Sequence, residues 1–139
     1  MRGMSSRPPL ALQQLIYLSQ ASPELGPTDV RAILGSAQVA NRRRDVTGFL
    51  LYSGRHFIQV LEGRADELDP LVRRIGSDPR HLGLQVVSRV PIQRRRYGTW
   101  AMGYLESLDS ADELHGLFEA GGASATAVWR LLEGAGAAL

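Results

Sequence analysis

The chain has 139 residues, 44% of them hydrophobic and 22% charged, with a formal net charge of +2, which suits one globular domain with a short extension. It has no cysteine, which excludes disulfides, thiolate catalysis, Cys-bound zinc and iron–sulfur clusters. All sixteen basic residues are arginine, so neither a lysine Schiff base nor a Walker-type lysine is available.

Residues 1–9 are polar and end in Pro8 and Pro9, so residues 1–11 read as a flexible lead-in. No apolar run approaches the roughly 20 residues of a membrane span, and no signal-peptide h-region stands ahead of the first element. A cytoplasmic protein without membrane contact is expected. Residues 12–19 read as an apolar-rich strand. Pro27, Thr28 and Asp29 open a helix, with Thr28 or Asp29 capping its first turn. Val30, Ile33, Leu34 and Ala37 carry helical spacing to about Ala40.

Residues 46–53 and 56–62 read as the strands of a hairpin joined by Gly54 and Arg55, with the glycine supplying positive φ. Residues 66–75 form a helix striped by Leu68, Leu71, Val72 and Ile75. Ser77, Asp78 and Pro79 break it. Strands follow at 84–92 and 97–104, with Arg94, Arg95 and Arg96 between them. A helix at 110–119 opens on Ser110 as N-cap, with Glu113 at the capping-box position. Gly121 and Gly122 separate it from a last helix at 124–133.

The order β-α-β-β-α-β-β-α-α gives an α/β (α+β) fold. It is a ferredoxin-like β-α-β-β-α-β core with an added fifth strand and two C-terminal helices on the opposite sheet face. The strands support two covered faces. In the first, Ile16 and Leu18 alternate with Leu15 and Tyr17. In the hairpin, Phe49 and Leu51 alternate with Val46, Leu50 and Tyr52.

Most catalytic signatures are missing. His56, His81 and His115 are far apart in sequence, and no HxxxH spacing, GxSxG elbow, GxGxxG loop or P-loop occurs. The carboxylates show no catalytic pairing. The arginine runs at 42–44 and 94–96 read as solvated loops or as a local basic patch.

The informative residues are polar groups at apolar positions. Gln59 shares a strand face with Phe57 and Leu61, where a buried amide costs roughly 1–3 kcal/mol if its hydrogen bonds go unmade. It is exposed, paired structurally, or facing a ligand. Tyr17 lies mid-strand beside Leu15, and its hydroxyl needs a partner. Asn41 ends the first long helix, where asparagine is also a common cap. Together, two amides and a phenol around one core suit a planar ring with several hydrogen-bonding atoms.

The residues running from Asn41 through Asp45, Thr47, Gly48 and Tyr52 to Gly54, followed by Phe57, Gln59, Leu61, Glu62 and Gly63, resemble the core of the BLUF family of flavin-based blue-light sensors. Leu15, Ile16 and Tyr17 upstream, Asp78, Pro79, Arg80 and His81 after the second helix, and Trp100, Ala101 and Met102 further on add to the resemblance. It covers about residues 12–105. The segment 12–106 is accordingly expected to be the flavin-binding domain, and 107–139 a helical extension.

The resemblance implies a non-covalent flavin, FAD or alternatively FMN, between the two helices of the core. Tyr17 and Gln59 match the photoactive pair, with Gln59 reaching the N5 and C4-carbonyl region of the ring. Asn41 matches the residue bonding the C4-carbonyl and N3 edge. Arg80 and His81 match positions near the opposite carbonyl edge, Arg74 a further ligand contact, and Ile33 a residue packed on the ring. After excitation Tyr17 would give an electron and then a proton. Gln59 would be left with an altered hydrogen-bond arrangement, by rotation, tautomerisation or both, and the spectrum would shift slightly red. Trp100 and Met102 match a pair whose relative burial relays the change, and both are expected on one face of the fifth strand.

Ala40 and Ala37 depart from the family, which often carries Asn or His at the first position and serine at the second. The implied protein is a photoreceptor and not an enzyme. A homo-oligomer signalling to a separate effector protein is expected, because no effector follows the last helix and Trp129 and Leu132 look exposed, although helix packing is their simpler role. A ferredoxin-like nucleic-acid or small-ligand binding module would predict steep salt dependence and no chromophore. An acylphosphatase-like hydrolase would need a glycine-rich phosphate loop that the sequence lacks.

Overall fold

Strands of this chain carry large apolar side chains on both faces, and the fold covers both. The computed structural model describes residues 11–98 and 100–137; the expected lead-in, apart from Ala11, lies outside them. The elements run β1 (Leu12–Ala21), α1 (Pro27–Arg44), β2 (Thr47–Tyr52), β3 (His56–Arg64), α2 (Ala65–Gly76), β4 (His81–Ile92) and β5 (Gly103–Glu106). A 3-10 turn at Leu108–Ser110 leads to α3 (Ala111–Ala120) and α4 (Ala125–Gly134).

The sheet order is β4-β1-β3-β2-β5. The first four strands pair antiparallel, as the ferredoxin-like plan requires, and β5 joins β2 in parallel at the edge. Leu15, Tyr17, Leu50, Phe57 and Leu61 face one way and pack with Ile33 of α1 and Leu68 and Leu71 of α2. Ile16, Leu18, Phe49, Leu51, Ile58 and Val60 face the other way and pack with Leu114, Phe118, Val128, Leu131 and Leu132 of α3 and α4. Full burial of each such side chain contributes about 1.5–3 kcal/mol, so the two-faced pattern stabilises a three-layer arrangement. Leu132 is fully buried and Trp129 packs on the same core. Helix packing therefore accounts for both residues, and the expected exposure of Leu132 is corrected.

Turn chemistry follows the sequence at the hairpin, where Gly54 has φ 95°. Cap assignments differ. Gly26 is the N-cap of α1, and Asp29 acts from the third helical position by accepting from the Gly26 N–H at 2.8 Å. The helix runs past Asn41 to Arg44 and stops where Asp45 turns left-handed at φ 55°. At α3 Ser110 stands at the N-cap as expected but makes no side-chain capping bond, and its hydroxyl pairs instead with that of Ser107 at 2.8 Å. Ser124 does cap α4, accepting from Ala127 N–H.

The largest correction concerns the expected strand at 97–104. The backbone N–H groups of Arg96 and Tyr97 donate to the buried carboxylate of Glu62 at 2.9 and 2.8 Å, and so are not spent on a ladder. The strand begins only at Gly103. Period-two alternation does not govern Trp100 and Met102, and they lie on opposite sides of the sheet. One arginine of the second run is also spent internally. Arg95 donates to the carbonyls of Asp45 and Glu62 and to the Thr47 hydroxyl. That work anchors a loop and leaves Arg95 half-buried rather than part of a free basic patch.

Candidate functional site

A cleft opens between α1 and α2 with β3 as its floor. Ile33, Ala37, Ala40 and Asn41 of α1 form one wall, and Leu71, Arg74 and Ile75 of α2 the other. Gln59 and Leu61 lie on the floor, while Asp78, Arg80 and His81 close one end. The cleft encloses about 600 Å³ of empty space, its open mouth included.

Tyr17 stands directly across the β1–β3 ladder from Gln59. Its side chain is fully buried behind the floor, and its hydroxyl donates to Gln59 Oε1. Burial, and after it the Asp78 charge, hold the phenol well above its ordinary value. The hydroxyl therefore keeps its proton, and in this arrangement it donates it in a hydrogen bond to the glutamine oxygen. On its other side Gln59 Nε2 reaches Met102 Sδ at 3.4 Å, a weak acceptor.

Asn41 is buried in the last turn of α1, and its Nδ2 donates to the Ala101 carbonyl at 2.9 Å. It caps nothing; it ties α1 to the segment before β5. Gln38, one turn earlier, donates to the Met102 carbonyl at 3.3 Å. Three amides thus converge on residues 101–102, one from β3 and two from α1.

At the closed end Arg80 clasps Asp78 through Nε and Nη2, the latter at 2.6 Å. The bond holds the Asp78 carboxyl below the usual carboxylate range and raises the Arg80 guanidinium. His81 is buried as the first residue of β4, with Nδ1 2.8 Å from Ser19 Oγ. Its ring meets Phe57 at 4.8 Å and Tyr17 edge-on at 6.0 Å. Burial pushes its imidazole down to about 4, against the opposing pull of Asp78, so His81 is neutral at pH 7.

Of the residues singled out in the sequence, Ile33, Asn41, Gln59, Arg74, Arg80 and His81 all line the cleft. Tyr17 and Met102 flank Gln59. Trp100 does not join them. It packs against Phe49 and Tyr97, at 5.9 and 6.0 Å, on the face of α3 and α4. Sequence reasoning missed Ser19, Gln38 and Asp78 as site-shaping groups. Ser19 was legible, since period two puts it on the face of Tyr17. Gln38 carried no signal, because its partner is a carbonyl in an irregular segment.

The arrangement is a slot with apolar walls and polar groups along its edges. Such a slot fits a flat heteroaromatic ring whose carbonyls and ring nitrogens lie at its periphery. Ala37 and Ala40 add no polar atom to the α1 wall. Among the described residues no group of three or more His, Cys, Asp or Glu side chains is placed to hold a metal ion, and no helix is long and apolar enough to cross a membrane.

A ferredoxin-like sheet carrying this slot on one face defines a small α+β domain with a candidate site for a flat ring. The family model described as "BLUF: Sensors of blue-light using FAD" matches residues 12–103, and the chain belongs to that family. It is similar to the photoactivated adenylate cyclase subunit beta of Euglena gracilis, at 39% identity over 93 residues. That match covers 66% of this chain and 11% of the relative, so the chain spans about a tenth of the length of the curated relatives it matches. Among solved structures, the dark state of the BLUF protein BlrB superposes with a TM-score of 0.69 at 32% identity, over 79% of this chain and 83% of that one. Klebsiella pneumoniae BlrP1 with FMN and cyclic diGMP superposes with a TM-score of 0.65 at 34% identity, over 76% of this chain and 30% of that one.

Proposed function

We propose that the cleft between α1 and α2 holds an oxidised flavin, FAD in the cell, and that light absorbed there resets the hydrogen bond between Tyr17 and Gln59. The observation that carries this reading is the buried Tyr17–Gln59 pair at the floor of a slot whose rim bears Asn41, Arg80 and His81. Ile33 and Leu71 would hold the ring faces, and Arg74 the outer rim. Bound flavin would supply the blue-light absorption and an acceptor for an electron and a proton.

Tyr17 holds its proton at the hydroxyl, one hydrogen bond from Gln59. The glutamine amide is bonded unequally, to a phenol on one side and a thioether on the other. Exchange of its donor and acceptor ends, by rotation or tautomerisation, sacrifices little at Met102. The Tyr17 bond therefore decides which arrangement persists. A changed contact at Met102 then bears on the segment held by Gln38 and Asn41, which leads into β5 and toward Trp100.

The signal passes from that segment to a partner protein, with the chain acting in the cytoplasm as a homo-oligomer and performing no catalysis itself. The support is by analogy, since the Euglena relatives are named as photoactivated adenylate cyclase subunits. The test is colour. Purified protein should be yellow, shift slightly red under blue light and recover in darkness. Chromatography of the released chromophore should return FAD rather than FMN. Colourless protein that takes up neither flavin would overturn the proposal.

A further inference from the structure

Ser19 is fully buried two residues along β1 from Tyr17, and among the described residues its hydroxyl has one side-chain partner, His81 Nδ1, at 2.8 Å. A hydroxyl carries one proton and two lone pairs. If Ser19 accepted from a protonated Nδ1, its own proton would be left buried without an acceptor, the costly outcome. If it donates to a bare Nδ1, only lone pairs go unfilled, and that costs little. The neutral ring must then carry its proton on Nε2, the remaining nitrogen of a side chain that lines the cleft.

We infer that Ser19 is a positioning residue that fixes His81 in the Nε2–H tautomer, so that the closed end of the cleft presents a neutral hydrogen-bond donor to an acceptor oxygen of the bound ring. The inference deepens the flavin reading and rests on it for the ligand. The surroundings agree. Phe57 and Tyr17 hold the imidazole plane, and burial keeps it uncharged at neutral pH. Arg80, the neighbouring donor, keeps Nη1 after spending Nε and Nη2 on Asp78. This end of the slot is thus donor-rich and takes a carbonyl rather than a ring N–H. The tautomer is set from the next position after Tyr17 on the same strand face, so the photoactive residue and the His81 clamp share one strand.

The test uses 15N-labelled full-length protein, first free of flavin and then loaded with FAD. In flavin-free wild type, imidazole NMR should show His81 with a bare Nδ1 and a protonated Nε2. Ser19→Ala should give a mixed tautomer signal while keeping the dispersed spectrum of a folded protein. Ser19→Thr, which keeps the hydroxyl, should restore the wild-type pattern. In loaded protein Ser19→Ala should bind FAD about tenfold more weakly, with a ring carbonyl band moved to higher frequency, and Ser19→Thr should bind as wild type. A protonated Nδ1 in wild type, or a tautomer unchanged by Ser19→Ala, would overturn the inference. The expected tautomers in a protein that takes up no flavin would uphold the role of Ser19 and overturn only the flavin reading.

Discussion

The Tyr17 hydroxyl donates to Oε1 of Gln59, its direct partner across the β1–β3 ladder. Cross-strand register, rather than sequence proximity, brings a phenol and an amide 42 residues apart into one buried bond. The pairing is enforced by the apolar side chains flanking both residues, because a one-residue slip would turn Gln59 toward the opposite core.

Removing the donor should separate binding from response. Tyr17→Phe leaves Gln59 Oε1 buried without its partner and should lower stability by about 1–2 kcal/mol, read from urea denaturation. The cleft lining is untouched, so flavin should still bind, and the light-induced red shift should vanish from difference spectra. A retained shift would remove Tyr17 from the photochemical role.

The His81 imidazole should make flavin-free protein sensitive to acid. Its folded value is depressed from 6.5 to about 4. The unfolded chain therefore binds the proton first, and the stabilisation is complete above pH 6.5 and lost as pH falls toward 4. The full effect is roughly 3 kcal/mol. His56, buried beside α3, is pushed down in the same direction, first by burial. Comparing wild type with His81→Gln in denaturation curves between pH 7 and pH 4 isolates the His81 share. Parallel losses in both proteins would contradict it.

Glu62 should behave as the anchor of the segment before β5. Its buried carboxylate accepts from Gln14 Nε2 and from the backbone N–H groups of Arg96 and Tyr97. Glu62→Ala strands those donors and should cost about 3 kcal/mol. Hydrogen exchange should accelerate first at residues 96–102. Uniform acceleration across the sheet would mean that the anchor is not local.

Gly48 should tolerate no side chain. A Cβ there would overlap the Val60 carbonyl oxygen of the neighbouring strand, which the backbone ladder holds in place. Gly48→Ala should destabilise by about 3 kcal/mol, visible as a lowered thermal midpoint. Gly35→Ala, on the exposed side of α1 with open space around it, is the matched control and should be neutral or slightly stabilising.

Sequence alone determined the element order, the ferredoxin-like plan and the two-faced strands, because alternation of apolar residues at period two and stripes at helical spacing are local properties that burial converts directly into packing. It also marked Tyr17, Asn41 and Gln59 as polar groups out of place. Tertiary structure alone decided what those groups bond. Asn41 looked like a cap, but α1 continues past it and its amide is spent on the Ala101 carbonyl. The segment at 97–102 has the composition of a strand, yet Glu62, 34 and 35 residues away from Arg96 and Tyr97, takes the N–H groups a ladder would need. That one long-range carboxylate delays β5 to Gly103 and sends Trp100 and Met102 to opposite sides of the sheet. Local pattern cannot report it, since the competing acceptor becomes a neighbour only after the sheet has formed.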